Sequence, residues 1–171
     1  MSAGWRFAVL PVSFDKAKTE IQRLISTEHP DIVIMLGLAG DATKYRLESQ
    51  AVNLAAARIP DNDGNQPLDV PVIADDQANQ VRLGTWPVPK LLTSLSRKSH
   101  DIEHSDNAGR YVCNATYYAA LQQTAAINAG IREYRPQVGF LHIPPSRPLK
   151  ETSDLVIDIV ELLTAEISGK G

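Results

Sequence analysis

Hydrophobic positions along the chain form short continuous runs, and these runs predict strands. They lie at residues 5–12, 32–36 and 138–143, and the run at 32–36 is apolar at every position and rich in β-branched side chains. Continuous runs of this kind are typical of strands that are buried on both faces in a parallel sheet covered by helices. Residues 45–54 and 102–105 are more mixed in character, and we expect them to be extended as well.

Other segments place apolar residues three and four positions apart, which puts those residues on one face of a helix. They are residues 14–25, 87–96, 114–130 and 155–163. Ser13 can cap the first helix by accepting from a free backbone N–H. Pro30 ends that helix, because the residue before a proline is driven out of the helical conformation. The polar stretch 60–71, rich in Asp, Asn, Gly and Pro, predicts a loop.

Predicted strands and helices alternate along one continuous chain, with no internal repeat, low-complexity stretch or linker. This order predicts an α/β protein: a three-layer α/β/α sandwich around a mixed, mostly parallel central sheet, with residues 1–171 in a single domain. In such open sheets, functional sites form beyond the carboxyl ends of the strands.

Composition restricts the function classes. Of 171 residues, 43% are apolar and 22% are charged, which is typical of a globular protein, and a net charge of -3 offers no electrostatic footprint for nucleic acid. No apolar run approaches the roughly 20 residues that span a bilayer, so no membrane partner is expected. The N-terminus has no apolar core of a signal peptide, and one cysteine cannot form an internal disulfide. Both features favour a cytoplasmic location.

Three side chains are candidates for chemistry. Cys113 lies between a glycine-containing loop and a predicted helix, and the positive end of the helix dipole favours the nucleophilic thiolate; the alternative is a small buried hydrophobe. His142, near the end of a buried strand, could act as general base and acid, or be a core histidine bonded to backbone. Glu48 could orient His142 by accepting a hydrogen bond, or lie on a solvated face. Asp61, in the polar loop, could orient His142 instead.

Other chemistries fit the sequence less well. The segment Gly-Leu-Ala-Gly at 37–40 lacks the Lys-Ser/Thr of a phosphate loop and the spacing of a dinucleotide site. No Cys and His pair has the spacing of a zinc site, and no basic and aromatic cluster indicates RNA binding. An enzyme acting on nucleosides or phosphates stays an alternative from fold logic alone, and it predicts an anion bound at a helix N-terminus.

Three blocks of the sequence, in the same order, resemble the pyroglutamyl peptidase type I family of cysteine peptidases. The first runs from Gly-Leu-Ala-Gly at 37–40 through Leu-Glu at 47–48 to residues 51–54, 57–62 and 64–67; the second is Ser105 with residues 108–109 and 111–114; the third is residues 139–144. Residues 10–14 extend the similarity, which covers most of the chain from Trp5 onward.

The resemblance implies a Glu-Cys-His triad at Glu48, Cys113 and His142. It implies removal of an N-terminal pyroglutamyl residue from small peptides through a thioester acyl-enzyme, with no metal or organic cofactor, in a homo-oligomer that is often a tetramer. Further substrate-binding or oxyanion residues are expected near the site, and they are Leu38, Ala39, Arg58, Asp61 and Val112.

The sequence departs from the family pattern at its start. Family members begin with a further strand and a Gly-Phe-x-Pro-Phe-Gly-Gly loop whose aromatic rings hold the pyroglutamyl ring. This sequence starts at the equivalent of the second strand, so we expect a sheet without the family's first strand. An alternative function follows: a catalytically impaired or inactive homologue that acts as a subunit or a binding module.

Overall fold

A computed structural model describes residues 4–130 and 134–169 of the chain. These residues form four helices and six strands, which alternate as the sequence pattern predicts. In chain order they are α1 (Phe14–Glu28), β1 (Ile32–Leu38), β2 (Tyr45–Glu48), β3 (Gln50–Val52), β4 (Val81–Leu83), α2 (Val88–Arg97), β5 (Ile102–Ser105), α3 (Val112–Gly130), β6 (Gln137–Ile143) and α4 (Leu149–Ser168).

The main sheet has the strand order β1-β6-β2-β5. β1 runs parallel to β6, and β2 runs parallel to β5, whereas β6 and β2 are antiparallel. β3 and β4 form a separate antiparallel pair beside this sheet. The prediction of a mixed, mostly parallel sheet is therefore confirmed.

Two apolar cores lie on opposite faces of the sheet, because successive residues of a strand point to opposite sides. Val138 and Phe140 of β6 join a core formed with α1 and α3. Leu141 of the same strand joins a core with Leu47 and with the buried leucines of α2 and α4. Helices thus cover both faces, which confirms the three-layer α/β/α sandwich.

The ends of α1 follow from its sequence. The Ser13 side chain accepts from the Lys16 N–H, as predicted for an N-cap. His29 adopts a left-handed conformation with a φ of 45° and ends the helix before Pro30. Between these ends, the buried residues Phe14, Ala17, Ile21 and Ile25 lie on one face, because they are three or four positions apart.

Two strand predictions are wrong. Residues 5–12 form no strand in the described part of the chain, and the side chains of Phe7 and Val9 are 88% and 101% exposed. β1 was predicted to be buried on both faces, but it lies at the edge of the sheet, with Leu36 and Leu38 49% and 71% exposed. Apolar runs identify segments that can be extended, but only a neighbouring strand can take up their backbone hydrogen bonds.

Among the described helices, none combines the length and the apolar character needed to cross a membrane.

Candidate active site

Cys113 lies in the first turn of α3, which begins at Val112, two residues before the predicted start. The neighbouring Asn114 is fully buried and fixes this turn to β3. Its Oδ1 accepts from the Val52 N–H at 2.9 Å, and its Nδ2 donates to the carbonyl oxygens of Val52 and Leu54 at 2.9 and 3.0 Å. Three hydrogen bonds from one side chain hold the helix start, and with it the thiol, against the strand.

A glycine on β1 makes room for the thiol. Gly37 lies opposite His142 in the parallel register of β1 and β6. A Cβ atom at Gly37 would lie 2.8 Å from Cys113 Sγ and 2.8 Å from Phe140 Cζ, closer than van der Waals contact allows. The absence of a side chain at this position therefore lets the sulfur of α3 approach the carboxyl ends of β1 and β6.

His142 and Glu48 meet because their strands are adjacent. In the antiparallel pairing of β6 with β2, His142 faces Arg46 and Phe140 faces Glu48, so His142 and Glu48 are diagonal neighbours on one face. Both are buried, and His142 Nδ1 lies 2.7 Å from Glu48 Oε1. The residues alone left open whether Glu48 or Asp61 accepts from His142, and the family resemblance implied Glu48; in the structure the side chain at this distance is Glu48.

The imidazole of His142 has a raised pKa. Burial lowers the pKa of this group, but the neighbouring Cys113 and Glu48 side chains outweigh burial and raise the pKa to about 9. An imidazole of raised basicity, held by a buried carboxylate near a thiol, is an arrangement that can take a proton from sulfur and return it to a leaving group.

Two aromatic residues that the sequence analysis missed pack around this group. The Phe140 ring lies 4.8 Å from the His142 ring, measured between centroids, and 5.6 Å from the ring of Tyr117. Tyr117 is fully buried, and its hydroxyl donates to the Glu48 carbonyl oxygen at 3.2 Å. Spacing could have found both, because Phe140 lies two residues before His142 on a strand and Tyr117 four residues after Cys113 on a helix.

The remaining predicted residues differ in their surroundings. Leu38 ends β1 and is largely exposed, whereas Val112 is buried in the first turn of α3. The Ala39 N–H donates to the Ile143 carbonyl at 3.1 Å, so this amide already has a partner. The side chain of Arg58 is exposed.

Asp61 organises its own loop. Its carboxylate accepts from the backbone N–H groups of Phe14, Asp63 and Asn65 at 2.8, 2.9 and 2.8 Å. Burial raises the pKa of this carboxyl, but these backbone hydrogen bonds outweigh burial and lower it below the ordinary range. Asp61 thus ties the polar loop to the start of α1.

Within residues 4–130 and 134–169, no three His, Cys, Asp or Glu side chains are grouped in a way that could hold a metal ion.

Comparison with known proteins identifies the family. Residues 5–159 match the pyroglutamyl peptidase family. A pyrrolidone-carboxylate peptidase of Brevibacillus brevis is 34% identical over 135 residues, which is 79% of this chain and 60% of the relative. One from Streptococcus pyogenes is 34% identical over 141 residues, covering 81% of this chain and 61% of the relative. The chain thus spans about 60% of the length of these curated relatives.

Solved structures agree with the sequence matches. A mutant pyrrolidone carboxyl peptidase from Pyrococcus furiosus is 28% identical, with a TM-score of 0.82 over 93% of this chain and 81% of that chain. Pyrrolidone carboxyl peptidase from Thermococcus litoralis is 28% identical, with a TM-score of 0.83 over 95% of this chain and 79% of that chain. Sequence and fold lead to the same result, and the chain belongs to the pyroglutamyl peptidase family.

Proposed function

We propose that this chain is a cysteine peptidase that removes an N-terminal pyroglutamyl residue from small peptides. Cys113 is the nucleophile, His142 transfers protons, and Glu48 orients His142. The observation that carries the proposal is the buried contact of 2.7 Å between His142 Nδ1 and Glu48 Oε1, in a site where Gly37, the register partner of His142, lies directly against the Cys113 sulfur. The proposed reaction uses these three side chains and needs no metal or organic cofactor.

The reaction proceeds in two halves. In the first, the Cys113 thiolate attacks the pyroglutamyl carbonyl carbon, and the bond from that carbon to the peptide nitrogen breaks as His142 donates its proton to the leaving amine. The product is a thioester and a shortened peptide. In the second, water gives a proton to the now neutral His142 and attacks the thioester, which releases pyroglutamate and restores the thiolate and imidazolium.

The start of α3 supplies donors for the oxyanion. The first N–H groups of a helix have no acceptor inside the helix, and they point along its axis away from the C-terminus. We expect those of Val112 and Cys113 to bind the oxyanion, because both residues belong to the first turn of α3. One such donor is worth about 10²–10³ in rate, since it binds the charge that forms only in the transition state.

The substrate is expected to lie over the carboxyl end of β1. Gly37 lies directly against the sulfur, and Leu38 and Ala39 follow it in the chain. We expect Leu38 and Ala39 to contact the pyroglutamyl group, and Arg58 and Asp61 to act around this pocket. A cytoplasmic location and assembly into a homo-oligomer complete the proposal, on the basis of family membership.

Hydrolysis of pyroglutamyl-aminomethylcoumarin tests the proposal. We expect the chain to release the coumarin, and we expect Cys113→Ala to abolish release while far-ultraviolet circular dichroism stays unchanged. Because Cys113 is the one cysteine of the chain, iodoacetamide provides a second test without mutation. A leucyl-aminomethylcoumarin substrate controls for non-specific peptidase activity.

The outcome also separates the proposal from its rival. A folded wild-type chain that binds a pyroglutamyl peptide without Cys113-dependent cleavage would refute the peptidase and favour a binding module. The feature that favours this rival is the edge position of β1, because no further strand of the described residues pairs with the strand whose Gly37 lies against the thiol.

A further inference from the structure

The position of Glu48 depends on a junction between two sheets. Glu48 is the last residue of β2, and the chain crosses to β3 one residue later. The Ser49 N–H donates to the Ser105 carbonyl at 2.8 Å, and the Gly84 N–H donates to the Ser49 carbonyl at 2.8 Å. The Glu48 carbonyl itself accepts from the Tyr117 hydroxyl. The junction therefore has three hydrogen bonds, and one of them comes from the helix that carries the nucleophile.

Tyr117 connects the two ends of the site. It lies one helical turn after Cys113 on α3, and its hydroxyl reaches the backbone of Glu48 on β2. Burial, reinforced by the charge of Glu48, raises its pKa above the ordinary value, so the hydroxyl stays protonated and donates over the whole working range of pH. Its ring also packs against Phe140, which in turn packs against His142.

Gly84 lies directly against this hydroxyl. A Cβ atom at Gly84 would lie 2.1 Å from the Tyr117 hydroxyl oxygen but 3.4 Å from Tyr117 Cζ. The first distance is impossible, and the second is an ordinary van der Waals contact. The glycine is thus required by the oxygen atom of Tyr117 and not by its ring.

The Glu48 carboxylate needs external positioning. Its Oε1 meets His142, but its Oε2 is buried and has no hydrogen-bond partner among the described residues. With one contact at the carboxylate, the place of this side chain beside His142 depends on where β2 holds the Glu48 backbone. The hydrogen bond from Tyr117 fixes that backbone.

We propose that Tyr117, with its hydroxyl packed against Gly84, is a positioning residue that holds Glu48 and Cys113 on either side of His142. The proposal rests on the proposed function for the role of the three groups. It assigns Tyr117 no contact with substrate.

The test compares four variants, of which Tyr118→Phe is the matched control. Tyr118 follows Tyr117 on α3 and is equally buried, but its hydroxyl donates to Asp76 at 2.7 Å. The others are Tyr117→Phe, Gly84→Ala and the Tyr117→Phe/Gly84→Ala double variant. The readouts are the alkylation rate of Cys113 by iodoacetamide against pH, the NMR titration of the His142 ring, kcat/KM and the urea midpoint.

We expect Tyr117→Phe to lower the alkylation rate and kcat/KM by about three- to tenfold, the equivalent of one neutral hydrogen bond, and to move the His142 titration to lower pH. Tyr118→Phe should leave the alkylation profile and the titration unchanged, whatever its effect on stability. Gly84→Ala should lose most activity, and adding Tyr117→Phe should restore it to the level of Tyr117→Phe alone, because only the hydroxyl clashes with the new methyl group.

Two results would overturn the proposal. One is a Tyr117→Phe variant whose alkylation profile and His142 titration match those of the wild type, since the hydroxyl would then contribute only to stability. The other is a double variant no more active and no more reactive to iodoacetamide than Gly84→Ala. Alkylation and titration need no substrate, so a wild-type chain that fails to cleave pyroglutamyl substrates would refute the proposed function without deciding this one.

Discussion

Replacing Glu48 by Gln removes one charge from the site and preserves the size of the side chain. The carboxylate is buried and lies 2.7 Å from His142 Nδ1. A hydrogen bond to a charged group contributes about 1.5–3 kcal/mol, and one pKa unit corresponds to about 1.4 kcal/mol. The substitution should therefore lower the pKa of His142 from about 9 by roughly one to two units.

The loss of the charge should also appear in catalysis. With a lower pKa, a smaller fraction of His142 carries the proton that the leaving amine needs at mildly alkaline pH. We therefore expect kcat/KM to fall by about 10- to 100-fold at such pH. A buried amide nitrogen in the place of Oε2 would have no hydrogen-bond partner among the described residues and should cost about 1–3 kcal/mol of stability, so far-ultraviolet circular dichroism checks that the variant is folded.

Two measurements check this prediction. NMR titration gives the pKa of His142 in both proteins, with the signal assigned by its loss in His142→Gln, and hydrolysis of pyroglutamyl-aminomethylcoumarin gives kcat/KM against pH. Glu103→Gln is the control, because Glu103 is an exposed carboxylate on the neighbouring strand β5. The reasoning is refuted if Glu48→Gln leaves the titration of His142 where it was and changes kcat/KM no more than the control does.

Three further predictions follow from other contacts. Gly37→Ala should reduce activity at least about tenfold, since its methyl group would lie 2.8 Å from Cys113 Sγ, and circular dichroism should show an intact fold. Normal activity in this variant would show that the sulfur can move away from the methyl group. The pKa of His142 is above its ordinary value of 6.5, so the stability it contributes is complete below that value and lost as pH rises through about 9; a urea midpoint with no such decline would contradict this. Leu95→Ala should cost about 2–5 kcal/mol of unfolding free energy, because Leu95 is fully buried in α2, and urea denaturation measures the loss.

Local pattern predicted the helices well and the strands less well. The apolar face and both ends of α1 agree with the structure, because a helix satisfies its own backbone hydrogen bonds and its caps lie next to it in the chain. Residues 5–12 have the composition of a strand but do not form one. β1 has the composition of a central strand but lies at the edge of the sheet. A strand needs a neighbouring strand to accept and donate its backbone hydrogen bonds, and the local sequence of a segment does not specify which strand that is.

The candidate site divides in the same way. The sequence by itself determined which residue types could react, where the helix that carries Cys113 begins to within two residues, and that His142 lies near the end of a strand. From the residues alone both Glu48 and Asp61 could be the partner of His142, and the family resemblance implied Glu48. Only the tertiary structure shows the contact across 94 positions, because it depends on the antiparallel pairing of β2 with β6. The tertiary structure alone also shows that the Tyr117 hydroxyl packs against Gly84, since distances between residues far apart in the chain are set by packing and not by local propensity.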